Sequence, residues 1–323
     1  MKKFTTIITE SNDYSGKVIK LYESMGPVYL WHKLSDAEKN KALSEANIIA
    51  IGLSIQLDKN FLDKMPNLGV IATPTTGLNH IDMEYAAKRG IEVISLRGHA
   101  DFLQNITSTA EHAWGLVLSL VRGLPWAFED VKKGNWDRLK WRGHEMKNKT
   151  LGIVGLGRLG KMMSRYGNAF GMKVVASDPN VPEDKMKEYG AEKVELPELF
   201  KISDVVTLHV LLTDAVYNLA GEEHLRSMKP TALLIDTARA ELIEKGMLYK
   251  ALENKWISGA GIDVMWDELP DGSHLQKDPL FEYAKTHQNL IIAPHVGGAT
   301  YEAMEATQYF IGELVHKYFS EKK

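Results

Sequence analysis

The 323-residue sequence contains no cysteine, which removes disulfides, thiolate nucleophiles and thiolate-bound metals from consideration. Long apolar runs are missing as well. The best, AWGLVLSLV at 113–121, falls far short of the roughly 20 residues needed to span a membrane. Charge of one sign is not concentrated anywhere. The 39 basic and 42 acidic residues give a net charge of −3 without blocks, so no footprint for nucleic acid or an anionic membrane is expected. The 11 histidines show no H-x-x-x-H or H-x-x-E-H spacing, so no metal site is expected, and His112 beside Glu111 is read as structural. The opening MKKFTTIITESNDYSG has an apolar stretch broken by Glu10 and Asp13. It is expected to form a first strand rather than a signal peptide, in a cytoplasmic protein.

Short β-rich runs are plentiful. Between 4 and 100, FTTIIT, VYLW, NIIAIGL, LGVIAT and IEVISL alternate with helix-like stretches such as SDAEKNKALSEA. From 151 to 294 the alternation returns with LGIV, KVVAS, DVVTLH, ALLID, GAGIDV and LIIA. Continuous apolar strands between helices belong to parallel sheets covered on both faces, so two α/β domains are predicted. Between them, STAEHAWGLVLSLVRG carries a predicted capping box, Ser108 with Glu111, and a helix apolar nearly all round. Such a helix needs cover on every side, either between domains or between subunits, and a subunit contact is the favoured expectation. The polar stretch 131–149 reads as a wandering connector.

LGIVGLGRLG, 151–160, sets Gly155, Gly157 and Gly160 as GxGxxG after an apolar strand and at the start of a helical segment. The first glycine permits a tight turn, the second lets backbone approach a pyrophosphate, and the third lets helix pack on strand. Amides of the helix N-terminus then face the anion. Alone, such a loop is a weak sign. Here KVVAS follows and ends in Asp178, 18 residues past Gly160, where an acid accepts hydrogen bonds from an adenosine ribose. That carboxylate would repel a 2′-phosphate, so NAD is expected over NADP. The alternative for Asp178-Pro179-Asn180 is a plain turn.

Ligands of doubly wound sheets bind beyond the carboxyl ends of the strands. Arg239 follows ALLID, Asp263 and Glu268 follow GAGIDV, and His295 follows LIIA. These residue types suit hydride exchange between a nicotinamide and a 2-oxo or 2-hydroxy acid. Carbonyl reduction places negative charge on oxygen, and histidine is the side chain whose proton is exchangeable near neutral pH. A carboxylate beside it, here Glu268, favours imidazolium. Arginine offers a planar fork to the substrate carboxylate and polarises the carbonyl. Asp263 is suited to a bond from the nicotinamide carboxamide. Each has a plainer alternative: Arg239 could pair with Glu241 or Glu244, Glu268 could lie in a solvated turn, and His295 could cap a strand.

With these residues in this order, the sequence resembles the D-isomer-specific 2-hydroxyacid dehydrogenases over nearly its whole length, in particular their phosphoglycerate dehydrogenase branch. The motifs are TAEHAWGLVLSLVR (109–122), KTLGIVGLGRLGK (149–161), HVLLTDAVYNLAG (209–221), IDTARAELI (235–243), GAGIDVMWDELP (259–270) and IAPHVGGAT (292–300). The resemblance implies a Rossmann NAD-binding domain (107–300) inserted in a flavodoxin-like substrate domain (1–106 and 301–323), and a homodimer through the 108–121 helix. It implies Arg239, Glu268 and His295 as catalytic residues. Gly155, Gly157, Arg158, Leu159, Gly160, Asp178, Thr237 and Asp263 fall on the family's NAD site. The family's substrate-carboxylate loop falls on Thr75, Thr76 and Gly77, with Arg239 as a further substrate ligand. The implied substrate is a small 2-oxo or 2-hydroxy acid such as 3-phosphohydroxypyruvate, with hydroxypyruvate or glyoxylate as the nearest rival. A nonenzymatic, NADH-sensing corepressor-like protein is the rival of another class. The sequence departs from the family at Asp236, usually asparagine, and Ala240, usually glycine, so a buried carboxylate is expected to compete for Arg239. Arg97 or His99, in SLRGHADF, is expected to meet a second anionic group of the substrate.

Overall fold

The computed structural model describes residues 3–269 and 271–321. Pro270, at the end of the 259–270 motif, and residues 1, 2, 322 and 323 of the expected substrate domain lie outside the described residues. The chain divides into two compact units, one running to Asn105 and resuming at Ala299, the other Ile106–Gly298. Among the described residues no helix is long and apolar enough to cross a membrane.

The first unit holds β1 (Thr6–Ile8), β2 (Val28–Leu30), β3 (Ile48–Ala50), β4 (Val70–Thr73) and β5 (Glu92–Ser95). They pair in parallel in the order β2-β1-β3-β4-β5, the flavodoxin-like winding. Ile7, Ile49 and Ile71 occupy matching register positions and anchor one core with Leu57, Leu62 and Met65, all fully buried. The Tyr301–Glu321 helix completes this unit. Phe319 stacks on Phe4 with centroids 3.9 Å apart, and Phe310 on Phe102 at 4.0 Å. Gly312 lets the helix lie close to its neighbour, since a Cβ there would stand 2.8 Å from Leu21 Cδ2.

In the second unit β6 (Thr150–Val154), β7 (Lys173–Ser177), β8 (Glu192–Lys193), β9 (Val205–Leu208), β10 (Leu233–Asp236), β11 (Gly259–Ile262) and β12 (Leu290–Ile292) form one sheet. Its order is β12-β11-β10-β9-β6-β7-β8, parallel throughout. This is the Rossmann winding, with the strand order reversing at β6 and β9. Neighbouring residues of β10 serve two different cores. Leu233 and Ile235 pack with the Ser108–Arg122 and Arg158–Ala169 helices, and Leu234 packs with Leu242, Leu248 and Leu252 on the other face. The architecture is therefore two parallel α/β domains, with a Rossmann unit inserted in a flavodoxin-like one.

Two local expectations, the helix cap and the connector, are corrected. The Ser108–Arg122 helix is capped at Thr107, whose hydroxyl donates to Glu111 Oε1 at 2.6 Å. Ser108 lies inside the helix, and its Oγ is buried without a partner. Within its own chain the helix is buried along Ser108, Ala110, Ala113, Trp114, Leu116 and Val117, with Glu111, Gly115 and Arg122 exposed on one stripe. The connector does not wander. After a Leu124–Lys132 helix, Asp130 accepts from Asn135 Nδ2 at 2.8 Å, Lys140 Nζ at 2.9 Å and Trp141 Nε1 at 2.8 Å. Those bonds, Lys140 first, hold its carboxyl down at about 2.

Candidate active site

The turn after β6 is shaped by its glycines. Gly155 has φ 89°, and a Cβ there would meet Val210 Cγ1 at 2.5 Å and the His209 carbonyl at 2.8 Å. A Cβ on Gly160 would stand 2.1 Å from the Gly155 carbonyl oxygen, so the helix can begin against the strand only with glycine there. Gly157 is exposed, and a Cβ at its position would meet nothing within 4 Å. It caps the Arg158–Ala169 helix without any side-chain hydrogen bond to the first-turn amides. An open glycine before uncapped helix amides is what a pyrophosphate requires. Leu159 packs at the edge of the core, and Arg158 Nη1 donates to the Ile106 carbonyl at 2.6 Å.

Asp178 serves the turn and the loop together. Its Oδ1 accepts from Asn180 N and its Oδ2 from Leu156 N, both at 2.9 Å. The carboxylate is thereby fixed at the loop's mouth with acceptor capacity to spare. His209, just past β9, places Nε2 2.7 Å from Thr207 Oγ1, while its Nδ1 is buried without a partner. Burial pushes this imidazole down to about 3, so it stands at the strand exit as a neutral group.

β10, β11 and β12 run in register, Asp236 opposite Ile262 and Ile262 opposite Ile292, so their exits lie side by side. At the first, Thr237 is 7% exposed with an unpartnered Oγ1. Arg239 Nη1 donates to the Ala238 carbonyl at 2.6 Å. Among the described residues Arg239 makes no ion pair with Asp236, contrary to the expected competition. The Asp236 carboxyl is 1% exposed and accepts instead from Ala238 N at 2.8 Å. Burial raises it to about 7, against the smaller opposing influence of hydrogen bonds and Arg239.

At the other exits His295 Nδ1 and Glu268 Oε2 lie 2.9 Å apart, each side chain about a third exposed. With the carboxylate ionised, Nδ1 carries the proton and donates, which leaves Nε2 as the ring atom that gains or loses one. The pair is set in left-handed backbone: φ is 54° at His295 and 55° at Asp267. A non-glycine residue holds such a conformation only where its surroundings impose it. Asp263 does so. Its buried carboxylate accepts from Val296 N at 2.8 Å and Gly297 N at 2.7 Å. His112 Nε2 stands 3.2 Å from Oδ1, near enough for an ion pair but outside hydrogen-bond alignment.

The family model described as D-isomer specific 2-hydroxyacid dehydrogenase, NAD binding domain, matches residues 114–297. The chain belongs to the D-isomer-specific 2-hydroxyacid dehydrogenases. It is 35% identical over 309 residues to a glyoxylate reductase of Thermococcus litoralis, covering 93% of this dehydrogenase and 88% of that one. It is 33% identical over 300 residues to a D-3-phosphoglycerate dehydrogenase of Methanocaldococcus jannaschii, covering 93% of this chain but only 55% of that relative. The D-lactate dehydrogenase of Aquifex aeolicus, solved with NAD and lactic acid, superposes with a TM-score of 0.79 at 29% identity over 98% of this chain and 96% of its own. The dehydrogenase is thus an oxidoreductase that uses NAD. The open Gly157, the uncapped helix amides and the spare acceptors of Asp178 fit that dinucleotide.

In the first unit of the dehydrogenase the 73–80 loop leaves β4 knotted by its own hydroxyls. Thr75 Oγ1 donates to the Gly77 carbonyl at 2.7 Å and lies 2.9 Å from Thr73 Oγ1. Arg97 Nε donates to the Thr76 carbonyl at 3.4 Å, so its guanidinium lies beside the loop. His99 instead packs edge-on to Phe310, centroids 5.0 Å apart. Of the two residues of SLRGHADF, Arg97 is the one at the loop. His112 and His209 were not among the sequence-derived site residues. The strand-exit rule would have found His209, whereas His112 pairs with Asp263 across 151 positions and leaves no local trace.

Proposed function

We propose that this dehydrogenase reversibly reduces a short 2-oxo acid to a D-2-hydroxy acid, and that the His295–Glu268 contact of 2.9 Å carries the proton chemistry. In this reading Nε2 of His295 gives its proton to the carbonyl oxygen during reduction and takes it back during oxidation. Glu268 holds Nδ1 and stabilises the charged ring. Arg239 supplies positive charge to the carbonyl oxygen and the substrate carboxylate. NADH, when bound, supplies the hydride to the carbonyl carbon. Thr237 and the remaining acceptor position on Asp263 hold the carboxamide, and Asp263 also fixes the His295 backbone. The second unit is the NAD-binding domain and the first the substrate domain, with Thr75, Thr76 and Gly77 receiving the substrate carboxylate.

Arg97 beside Thr76 favours a substrate with a second anionic group, of the 3-phosphohydroxypyruvate kind. Glyoxylate is the alternative, supported by the name of the Thermococcus litoralis relative, which is covered over most of its length. The working form is proposed to be a homodimer through the Ser108–Arg122 helix. The segment that follows it in sequence leaves Phe128, Val131, Trp136 and Leu139 between 50% and 89% exposed in one chain, apolar surface that a second copy would cover.

The test is NADH consumption with 3-phosphohydroxypyruvate, hydroxypyruvate, glyoxylate and pyruvate. His295→Ala is expected to lower kcat/KM by roughly 10²–10⁴. Arg97→Ala is expected to raise KM roughly tenfold for the phosphorylated acid and leave glyoxylate unchanged, about 1.4 kcal/mol of ground-state binding. Equal turnover in His295→Ala would remove the acid–base assignment. Indifference to Arg97→Ala would return the substrate to glyoxylate.

A further inference from the structure

Behind β10 and β11, on the face of the sheet that carries Leu234, the second unit encloses a cavity of about 460 Å³. Its walls are mostly apolar and partly aromatic: Ile243, Leu248, Tyr249, Met265, Trp266 and Leu280. The volume is in the range of small-molecule pockets, roughly 300–1,000 Å³. None of the steps proposed above uses it, and it lies on the opposite face from the Arg158–Ala169 helix and its glycine loop.

The cavity is not purely apolar. Asp236 lines it, following Leu234 on the same face of β10 and opposite Ile262, which also lines it. Its Oδ1 accepts from Ala238 N, but Oδ2 is buried with no partner. A buried acceptor left unsatisfied is costly unless a donor arrives to meet it. The lining carries four carboxyl groups, Asp236, Glu244, Asp267 and Asp278, against two lysines, Lys245 and Lys277. Lys245 is already bound to Asp267 at 2.5 Å. Asp278 caps the Pro279–Thr286 helix by accepting from Leu280 N at 2.9 Å, and His274 Nδ1 accepts from Leu269 N at 3.1 Å. The excess is acidic, and Asp236 is the fully buried member.

We propose that this cavity is a second ligand site, for a small aromatic compound bearing a primary ammonium group, with the ring against Tyr249 and Trp266 and the ammonium on Asp236. Aromatic walls and a buried carboxylate are the complement of such a molecule. The cavity shares backbone with the reaction site, because Asp236 stands three residues before Arg239 and Asp267 directly before Glu268. Occupation there acts on both segments, which makes the site regulatory rather than a place for substrate. It stands apart from the choice of 2-oxo acid above.

Tryptamine is the probe, titrated calorimetrically into the protein with saturating NADH. One site is expected, with affinity at least about tenfold weaker in Asp236→Asn, which keeps the shape and removes the charge. Leu248→Trp, which fills the cavity without touching Asp236, is expected to abolish binding. Indole-3-propionate, with the same ring and a carboxylate, is expected to bind at least about tenfold more weakly than tryptamine. Affinity for tryptamine is expected to rise between pH 6 and 8, as Asp236 ionises amid Arg239, Glu241, Glu244, Lys245, Asp267, His274, Lys277 and Asp278. Equal affinity in wild type and both variants, displacement by NADH, or no binding at millimolar tryptamine would each overturn the proposal.

Discussion

Burial holds the Asp236 carboxyl at about 7, whereas an unfolded aspartate titrates near 4. Between those values the unfolded chain has released this proton and the folded chain has kept it, so the Asp236 contribution to stability falls as pH rises. The loss is absent below about pH 4, complete above about pH 7, and on the order of 4 kcal/mol. His209 has the opposite slope, because its folded imidazole titrates at about 3 against about 6.5 unfolded. Between pH 4 and 6.5 the two slopes oppose each other, so only a difference between variants isolates Asp236. Asp236→Asn is expected to be more stable than wild type in urea at pH 8 by a few kcal/mol, with the gap closing toward pH 4. Parallel curves over that range would show that the carboxyl is ionised at no cost. The placing of Arg239, Glu268 and His295 just past strand ends could be read from sequence because a strand exit is a sequence-readable address. Their support could not. The grip of Asp263 on Val296 and Gly297, and the approach of His112, join positions far apart in the chain and follow no period.

The glycine loop makes two distinct claims about one short element. Gly160→Ala forces a methyl against the Gly155 carbonyl, where backbone must give way. It is expected to cost about 1–3 kcal/mol of stability and to weaken NADH binding as a consequence. Gly157→Ala meets nothing in the fold, so the melting temperature is expected to stay put while NADH affinity falls at least about tenfold, since the methyl occupies the approach to the first-turn amides. NADH fluorescence titration beside thermal melting separates the two, and wild-type affinity in Gly157→Ala would remove the pyrophosphate from this loop. Most strands were legible because an apolar run between helices is a strong pattern. The two-residue β8 and the Leu124–Lys132 helix were not, the first being too short to have a period. The order of the 131–149 connector comes from Asp130, a single buried acceptor whose three donors lie 5 to 11 residues on.

For the molecule as a whole, the sequence showed two α/β units and the resemblance showed that one is inserted in the other, but strand neighbours follow from packing that no local pattern encodes. The proposed dimer is tested by sedimentation of wild type against Gly115→Glu. A Cβ at Gly115 meets nothing within its own chain, so the variant is expected to keep its fold and NADH binding and to sediment as a monomer. A wild-type monomer, or a dimeric Gly115→Glu, would move the contact elsewhere. The split of the first unit also dictates an order of events during synthesis. Every strand of the second unit, Ile106–Gly298, leaves the ribosome in one uninterrupted stretch and can close its sheet at once. The five strands of the first unit emerge earlier, yet the Tyr301–Glu321 helix that stacks Phe319 on Phe4 and Phe310 on Phe102 is translated only after the whole second unit. Of the two units, the one begun earlier is therefore completed later, and its uncovered apolar face is the surface a nascent-chain chaperone would meet.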